Sequence, residues 1–167
     1  RPPGGVACTL SSRAGVPSRM SQSSPRRVRW LRTLGTGLVL QAERDGNAPP
    51  GALDAAVAAM RTLARDAADA LRPFSPNAVT DVTGFGLLGH AYEMASRSGV
   101  RLELDALALP ALPSAYELAE AGVRTGGDRR NRDYAGPHVE SSATDTHEAL
   151  AFDPQTGDTH QHFEAAA

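Results

Sequence analysis

Residues 80–90 read TDVTGFGLLGH, and this stretch decides the local fold of the chain. Two glycines separated by one residue follow an extended segment, and apolar residues with helical spacing come next. This pattern predicts a strand over residues 77–81, a tight turn, and a helix over residues 85–97. Gly84 and Gly86 permit positive φ and let another group approach the backbone closely.

The acid at the end of this predicted strand indicates a binding site. Asp81 precedes the turn, and the next helix begins with unpaired N–H groups and the positive end of its dipole, which suit a phosphate. A carboxylate repels phosphate unless a cation lies between them, and Mg²⁺ is held in this way by carboxylates and phosphate oxygens. The alternative is an ordinary strand–turn–helix junction with a capping threonine and packing glycines.

The remaining pattern is one of short periodic segments separated by loops with Gly and Pro. Strands are predicted over residues 38–42 and 100–105, helices over residues 53–71 and from Ser114 to Gly122, and a charged glycine turn over residues 124–134. Ser114 and Glu117 have the spacing of a capping box. Gly99 is a natural end for the helix that follows the glycine motif.

Composition sets the broad class of the protein. Of the 167 residues, 41% are hydrophobic and 22% charged, which suits one globular domain. No apolar run reaches the length of a membrane span. Cys8 is the single cysteine, so the chain has neither an internal disulfide nor a zinc cluster built from cysteines. A reducing cytoplasmic location is expected.

The two ends of the chain differ from the rest. Residues 1–33 are rich in Arg, Ser, Pro and Gly, which fits a transit peptide, a basic arm for nucleic acid, or a disordered leader without a role. We favour the leader and expect no direct contact with nucleic acid, because Trp30 is alone among the basic residues. Residues 157–167 are expected to be an unstructured tail, in which His160 and His162 have metal-like spacing but no further ligands.

Several stretches together resemble selenophosphate synthetase (selenide, water dikinase). Besides TDVTGFGLLGH, these are LGTG at residues 34–37, EMASRSGV at 93–100, LPALPSAYELAEAGV at 109–123, GGDRRN at 126–131 and FDPQT at 152–156. They follow one another in the family's order over residues 34–156, which is far more specific than a single glycine pattern.

The resemblance implies an α/β (α+β) domain like the C-terminal domain of aminoimidazole ribonucleotide synthetase, with a mixed sheet flanked by helices and truncated here. It implies an enzyme that makes selenophosphate from selenide, ATP and water, with Mg²⁺, as a homodimer that contacts no membrane. Asp81 matches the family's metal-ligating acid. Thr80, Thr83, Gly84 and Gly86 would shape the wall of the nucleotide site.

The chain also departs from the family. The family's Cys or selenocysteine nucleophile and its lysine belong to an N-terminal segment without a match here. Cys8 lies in GVACTLSS without that lysine, so no catalytic residue is assigned. The late motif should continue Ser-Gly-Gly, but residues 157–159 read GDT. These breaks predict an incomplete or frame-disrupted chain that makes no selenophosphate alone. The alternatives are another ATP-dependent member of the superfamily and a non-catalytic dimerisation module.

Other polar residues have two possible roles each. Arg129, Arg130 and Arg132 could hold phosphate, or they could form a solvated turn with Asp128 and Asp133 as partners.

Two further residues lie within the motifs. His90 is expected to be a packed helix residue and not a catalytic one. Asp153 belongs to the late motif, but the pattern assigns it no role.

Overall fold

A computed structural model describes residues 8–11, 33–76 and 78–155. The strands are β1 (Cys8–Ser11), β2 (Leu102–Asp105) and β3 (Val139–Ser141). The helices are α1 (Thr36–Arg44), α2 (Ala52–Arg61), α3 (Arg65–Leu71), α4 (Gly86–Ser98), α5 (Pro113–Glu120), α6 (Gly126–Ala135) and α7 (Asp145–Phe152). None of these helices is both long enough and apolar enough to cross a membrane.

The described strands form a parallel sheet in the order β2-β1-β3. Cys8 pairs with Leu102 on one side and with Val139 on the other. Residues 8–11 were expected to be unstructured, and for them that expectation is wrong, because they form the central strand. Residues 1–7 and 12–32 of the leader and the whole tail lie outside the described residues. A mixed sheet is not confirmed, since the pairing among the described strands is parallel.

Two apolar clusters form the core, and α7 contributes to both. Leu87 and Leu88 of α4 pack with Phe152 at the end of α7 in one cluster. Leu38 of α1 packs with Leu150 of α7 in the other. Because many of the remaining core residues are alanines, the helices approach one another closely around α7.

Helix α1 replaces the strand predicted over residues 38–42. Its buried residues Leu38, Val39 and Ala42 lie on one helical face, and Gly35 before it has φ +101°. A short apolar run such as LVL fits a strand or a buried helix equally well by periodicity. The hydrogen bonds of Gln155 and Asp153 with the start of α1 decide between a strand and a helix.

The helix predicted over residues 53–71 is divided into α2 and α3. At Thr62 the backbone is extended, with φ −70° and ψ 116°, and the Thr62 hydroxyl donates to the Ala58 carbonyl at 2.9 Å. No residue of α3 is buried, and Leu63 is 58% exposed. The pattern predicted that the apolar stripe would pack as core along the whole of residues 53–71. That prediction is wrong for α3.

Two further predictions are wrong. Residues 78–81 are irregular and not a strand, and Asn77 lies outside the described residues. The charged turn predicted over residues 124–134 is largely helix α6. Gly127 allows this helix to pack closely, since a Cβ there would lie 2.6 Å from Cγ of Pro154.

Other elements agree with their patterns. Helix α4 matches the prediction within one residue, and Gly99 ends it with φ +62°. Strand β2 and helix α5 also form where the pattern places them. The capping box at Ser114 does not form, because α5 begins at Pro113 with Leu112 as its N-cap residue and without a side-chain cap.

Candidate functional site

Four motif segments that are distant in sequence meet in one region. They are residues 35–38, 83–86, 127–131 and 152–155, and we call this region the motif junction. Hydrogen bonds between backbone groups and three buried side chains, Gln155, Asp153 and Asn131, connect the segments.

Gln155 is the centre of the junction. Its side-chain oxygen accepts the N–H groups of Gly35 at 2.8 Å and Thr36 at 3.2 Å, and the Thr36 hydroxyl at 3.2 Å. Its side-chain nitrogen donates to the Asp153 carbonyl at 3.0 Å. Its own N–H donates to the Thr83 carbonyl at 3.0 Å. One glutamine therefore ties the start of α1 and the glycine turn to the end of the described chain.

Asp153 holds the first turn of α1. One of its oxygens, Oδ2, accepts the Leu38 N–H at 3.2 Å, at the positive end of the helix dipole, which favours the charged form of the carboxyl group. Gly37 makes this contact possible, because a Cβ there would collide with the Pro154 carbonyl and lie 2.7 Å from Asp153 Oδ1. The residue to which the sequence assigned no role thus anchors α1.

Burial changes the ionisation of Asp153. Its side chain is fully buried, and this burial raises its pKa to about 7, although hydrogen bonds from Leu38 and Gln155 and the nearby Thr125 hydroxyl oppose the rise. The nearby charge of Asp128 raises the pKa further. Near neutral pH the group therefore changes between its neutral and its charged form.

Three buried oxygens near Asp153 are not satisfied. Among the described residues, Oδ1 of Asp153, Oδ1 of Asp128 and Oγ1 of Thr125 are buried without a hydrogen-bond partner of good geometry. The Thr125 hydroxyl brings one hydrogen to this group. A protonated Asp153 carboxyl brings a second hydrogen, which the ionised carboxylate does not have. This need for a second hydrogen agrees with the raised pKa of Asp153.

Arg132 is held by structural partners, although its side chain remains 34% exposed. Its Nε donates to Asp128 at 2.9 Å, its Nη1 donates to Glu148 at 3.0 Å, and its guanidinium lies 4.6 Å from the centre of the Phe152 ring. Asp128 is thus its partner, as one of the two interpretations proposed, but on a helix and not in a turn. Arg129 and Arg130 are exposed on α6.

The residues predicted to bind nucleotide divide into an exposed and an inner group. Thr80, Asp81 and Gly84 are exposed, Thr83 is half-buried, and Gly86 is buried. No described heavy atom lies within 4 Å of the Cβ position at Gly84, so its outer side is open.

Gly86 has the positive φ expected of it, +67°, and a group does lie close to its backbone. That group is the chain's own Phe152 carbonyl, 2.7 Å from where a Cβ would be.

His90 supports the turn from within the domain. Its Nε2 accepts the Thr83 N–H at 3.1 Å and lies 3.1 Å from the Thr83 hydroxyl. Burial lowers the pKa of His90, although Asp81 and Glu93 partly oppose the change. The ring is therefore a neutral acceptor on helix α4, as expected of a packed helix residue, and the Thr83 N–H is already hydrogen-bonded within the domain.

Asp81 can supply one carboxylate to a cation. In the part of the chain that the structure describes, no group of three or more His, Cys, Asp or Glu side chains is placed to hold a metal. One exposed carboxylate fits Mg²⁺ that takes its other ligands from water and phosphate, but it does not fit a site made by protein alone. His160 and His162 lie outside the described residues.

Sequence reasoning missed Gln155 and Asn131. Both lie in stretches that resemble the family, FDPQT and GGDRRN, and a polar residue inside such a stretch was the available signal. Only the packing shows that Asn131 is buried and bonded to Gly84 and Phe152.

Known proteins are similar to this chain over about three quarters of its length. The family described as AIR synthase related protein, C-terminal domain, matches residues 32–127. A selenide, water dikinase of Treponema denticola is 38% identical over 74% of this chain and 35% of its own length. Those of Caldanaerobacter subterraneus subsp. tengcongensis and Geobacter metallireducens are both 41% identical, over 74% and 78% of this chain and 36% and 38% of their own.

The resemblance to selenide, water dikinases is therefore confirmed, and the chain spans little more than a third of the length of these relatives. Since the family match extends over more than half of its residues, the chain belongs to the AIR synthase related proteins and carries their C-terminal domain.

Proposed function

We propose that this chain is part of a cytoplasmic, ATP-dependent enzyme that makes selenophosphate from selenide, ATP and water and releases AMP and phosphate. The product would serve the synthesis of selenocysteine and of selenium-containing tRNA bases. Similarity to selenide, water dikinases over three quarters of the chain supports this proposal. The observation that carries it is the exposed Asp81 immediately before a turn that the rest of the domain holds in place.

Each predicted site residue has its own part in this proposal. Asp81 would hold Mg²⁺ against the phosphates of ATP, and the ion would offset the phosphate charge there. Thr80 and Gly84, which are exposed, would line the surface that the phosphates approach. Thr83 and Gly86 would lie on the inner side of the turn and maintain its conformation, since both contact the domain interior.

The described residues would not complete the reaction by themselves. The proposal assigns no nucleophile among them, and it includes a homodimer formed by the longer protein. We therefore expect this chain, when purified, to make no selenophosphate from ATP and selenide. Turnover by the chain alone at an ordinary enzyme rate, about 1 s⁻¹ or more, would show this part of the proposal to be wrong.

Calorimetry with Mg-ATP tests the binding site directly. We expect weak binding, with a Kd on the order of 1 mM, because one carboxylate and one turn supply only a few kcal/mol. Asp81→Ala should abolish the signal. Asp133→Ala, which removes an exposed carboxylate from α6, is the control and should leave it unchanged. Equal binding by the unchanged chain and Asp81→Ala would contradict the proposal.

A second candidate is a non-catalytic dimerisation module. Phe85 is 57% exposed and Tyr134 39% exposed, and their rings lie 5.8 Å apart on the surface. Such aromatic side chains are common at protein interfaces. Sedimentation analysis distinguishes the two candidates: a dimer that Phe85→Ala weakens, in a chain without affinity for Mg-ATP, favours the module.

A further inference from the structure

Asn131 is a polar residue on an otherwise closely packed helix face. It lies one turn after Gly127 and one turn before Ala135, both of which are buried, and only 3% of its own surface is exposed. An amide that is buried to this extent is costly unless its donors are satisfied. Its partners therefore show what it stabilises.

Both hydrogens of the Asn131 side-chain amide have acceptors. The nitrogen lies 3.1 Å from the Gly84 carbonyl and 2.8 Å from the Phe152 carbonyl. Gly84 belongs to the glycine turn, and Phe152 is the last residue of α7. One amide thus joins two segments that are far apart in sequence, at the place where Gly86 lets them touch.

The hydrogen bond between Asn131 and Gly84 affects how Asp81 is positioned. Val82 packs against the core, and Thr83 and Gly84 are held by His90, Gln155 and Asn131. Asp81 is exposed, and its surroundings on the N-terminal side are irregular and exposed as well. The backbone position from which its carboxylate extends is therefore set by the anchored residues that follow it.

We infer that Asn131 is a positioning residue, which through its hydrogen bond to Gly84 holds the Asp81 carboxylate where it can bind Mg-ATP. This inference rests on the function proposed above. It adds a residue from the GGDRRN stretch that contacts neither metal nor nucleotide. Asn131 would affect Mg-ATP binding only by positioning Asp81. The effect of replacing Asn131 should therefore depend on whether the Asp81 carboxylate is present.

The first test measures the turn itself. Hydrogen exchange of the amides of residues 83–86 in the full chain should be about tenfold faster in Asn131→Ala, because the turn loses the buried hydrogen bond from Asn131 to the Gly84 carbonyl. Asp133→Asn, an exposed position on the same helix, is the matched control and should not change it. Unchanged exchange in Asn131→Ala would overturn the inference.

The second test is a double-mutant cycle on Mg-ATP binding, followed by NMR titration because this detects weak ligands. Asn131→Ala should weaken binding about tenfold in the unchanged chain. It should have no further effect in Asp81→Asn, which keeps the size of the side chain but not its charge. Equal weakening in both backgrounds would overturn the positioning role.

These tests distinguish failure of the proposed function from failure of the inference alone. If the unchanged chain shows no Mg-ATP binding that depends on Asp81, the proposed function fails, and the functional part of the inference fails with it. If such binding exists but Asn131→Ala leaves it intact, only the inference fails. Should Asn131→Ala not fold, Asn131→Ser, which keeps one donor, is measured in the same way.

Discussion

The side-chain oxygen of Gln155 accepts the backbone N–H of Gly35 at 2.8 Å, although the two residues are 120 positions apart. Because the same oxygen accepts two more hydrogens from Thr36, the start of α1 depends on a residue near the far end of the domain. The LGTG and FDPQT stretches are thus two halves of one structural unit.

Gln155→Ala should strongly destabilise the domain. It removes the acceptor of the buried Gly35 N–H and two hydrogen bonds from Thr36, and a buried donor without its acceptor costs about 1–3 kcal/mol. We expect the free energy of unfolding, measured with urea, to fall by about 3 kcal/mol. Gln41→Ala is the control, since its exposed amide donates to the exposed Asp45 one turn along the chain, and it should change stability by less than about 0.5 kcal/mol. Equal effects of the two substitutions would contradict the role given to Gln155.

Gly37→Ala tests the close contact between α1 and the Asp153–Gln155 segment. The added Cβ would collide with the Pro154 carbonyl, so the two segments must separate, and we expect a loss of about 3 kcal/mol. Gly126→Ala is the matched control, because no described atom lies within 4 Å of its Cβ position. Thermal unfolding of both variants measures the difference, and a stable Gly37→Ala would show that the segments are not packed as described.

The pKa of Asp153 predicts how stability depends on pH. Because its folded pKa is about 7 and its ordinary value is 3.8, the folded chain keeps a proton that the unfolded chain releases. Stability should therefore fall as the pH rises from about 4 to about 7 and then level off. Urea unfolding of the unchanged chain and of Asp153→Asn at several pH values gives the difference. Its pH dependence should amount to a few kcal/mol, and a constant difference would refute the assignment.

His90 should affect stability in the opposite direction. Its pKa is lowered, so the unfolded chain takes up a proton at a higher pH than the folded chain does. Stability should decline as the pH falls from about 6.5 through the folded pKa, and exchange of the Thr83 amide should become faster. His90→Gln keeps an acceptor without titrating and should remove this decline. NMR titration of the His90 ring measures the pKa, and a value above 6.5 would contradict the prediction.

Arg132→Ala should destabilise the chain more than removal of an exposed arginine. It leaves Asp128 and Glu148 without their cation and removes the contact with Phe152, which we expect to cost about 2 kcal/mol. Arg97→Ala breaks an exposed pair with Glu93 and should cost less than about 0.5 kcal/mol. Chemical unfolding compares the two, and similar losses would mean that the Arg132 network is no stronger than a surface ion pair.

Local sequence patterns were sufficient to predict a helix or strand where nearby residues determine its ends and its buried face. Helix α4 follows the glycine motif, carries its apolar residues at helical spacing and ends at Gly99, whose positive φ suits glycine. Strand β2 alternates and forms as predicted. The predicted division of the chain at residues 34 and 156 stays a prediction, as do the ligand roles of Asp81, Thr80, Thr83, Gly84 and Gly86.

What the sequence determined by itself was the family, the position of Asp81 before its turn, and the elements whose hydrogen bonds are local. Only the tertiary structure decided that residues 38–42 are helical, that a charged glycine segment forms α6, and that Asn131 and Gln155 hold the turn. The physical reason is that these states depend on partners 21 to 120 residues away. An apolar run or a pair of glycines is compatible with several backbones, and distant donors and acceptors select one of them.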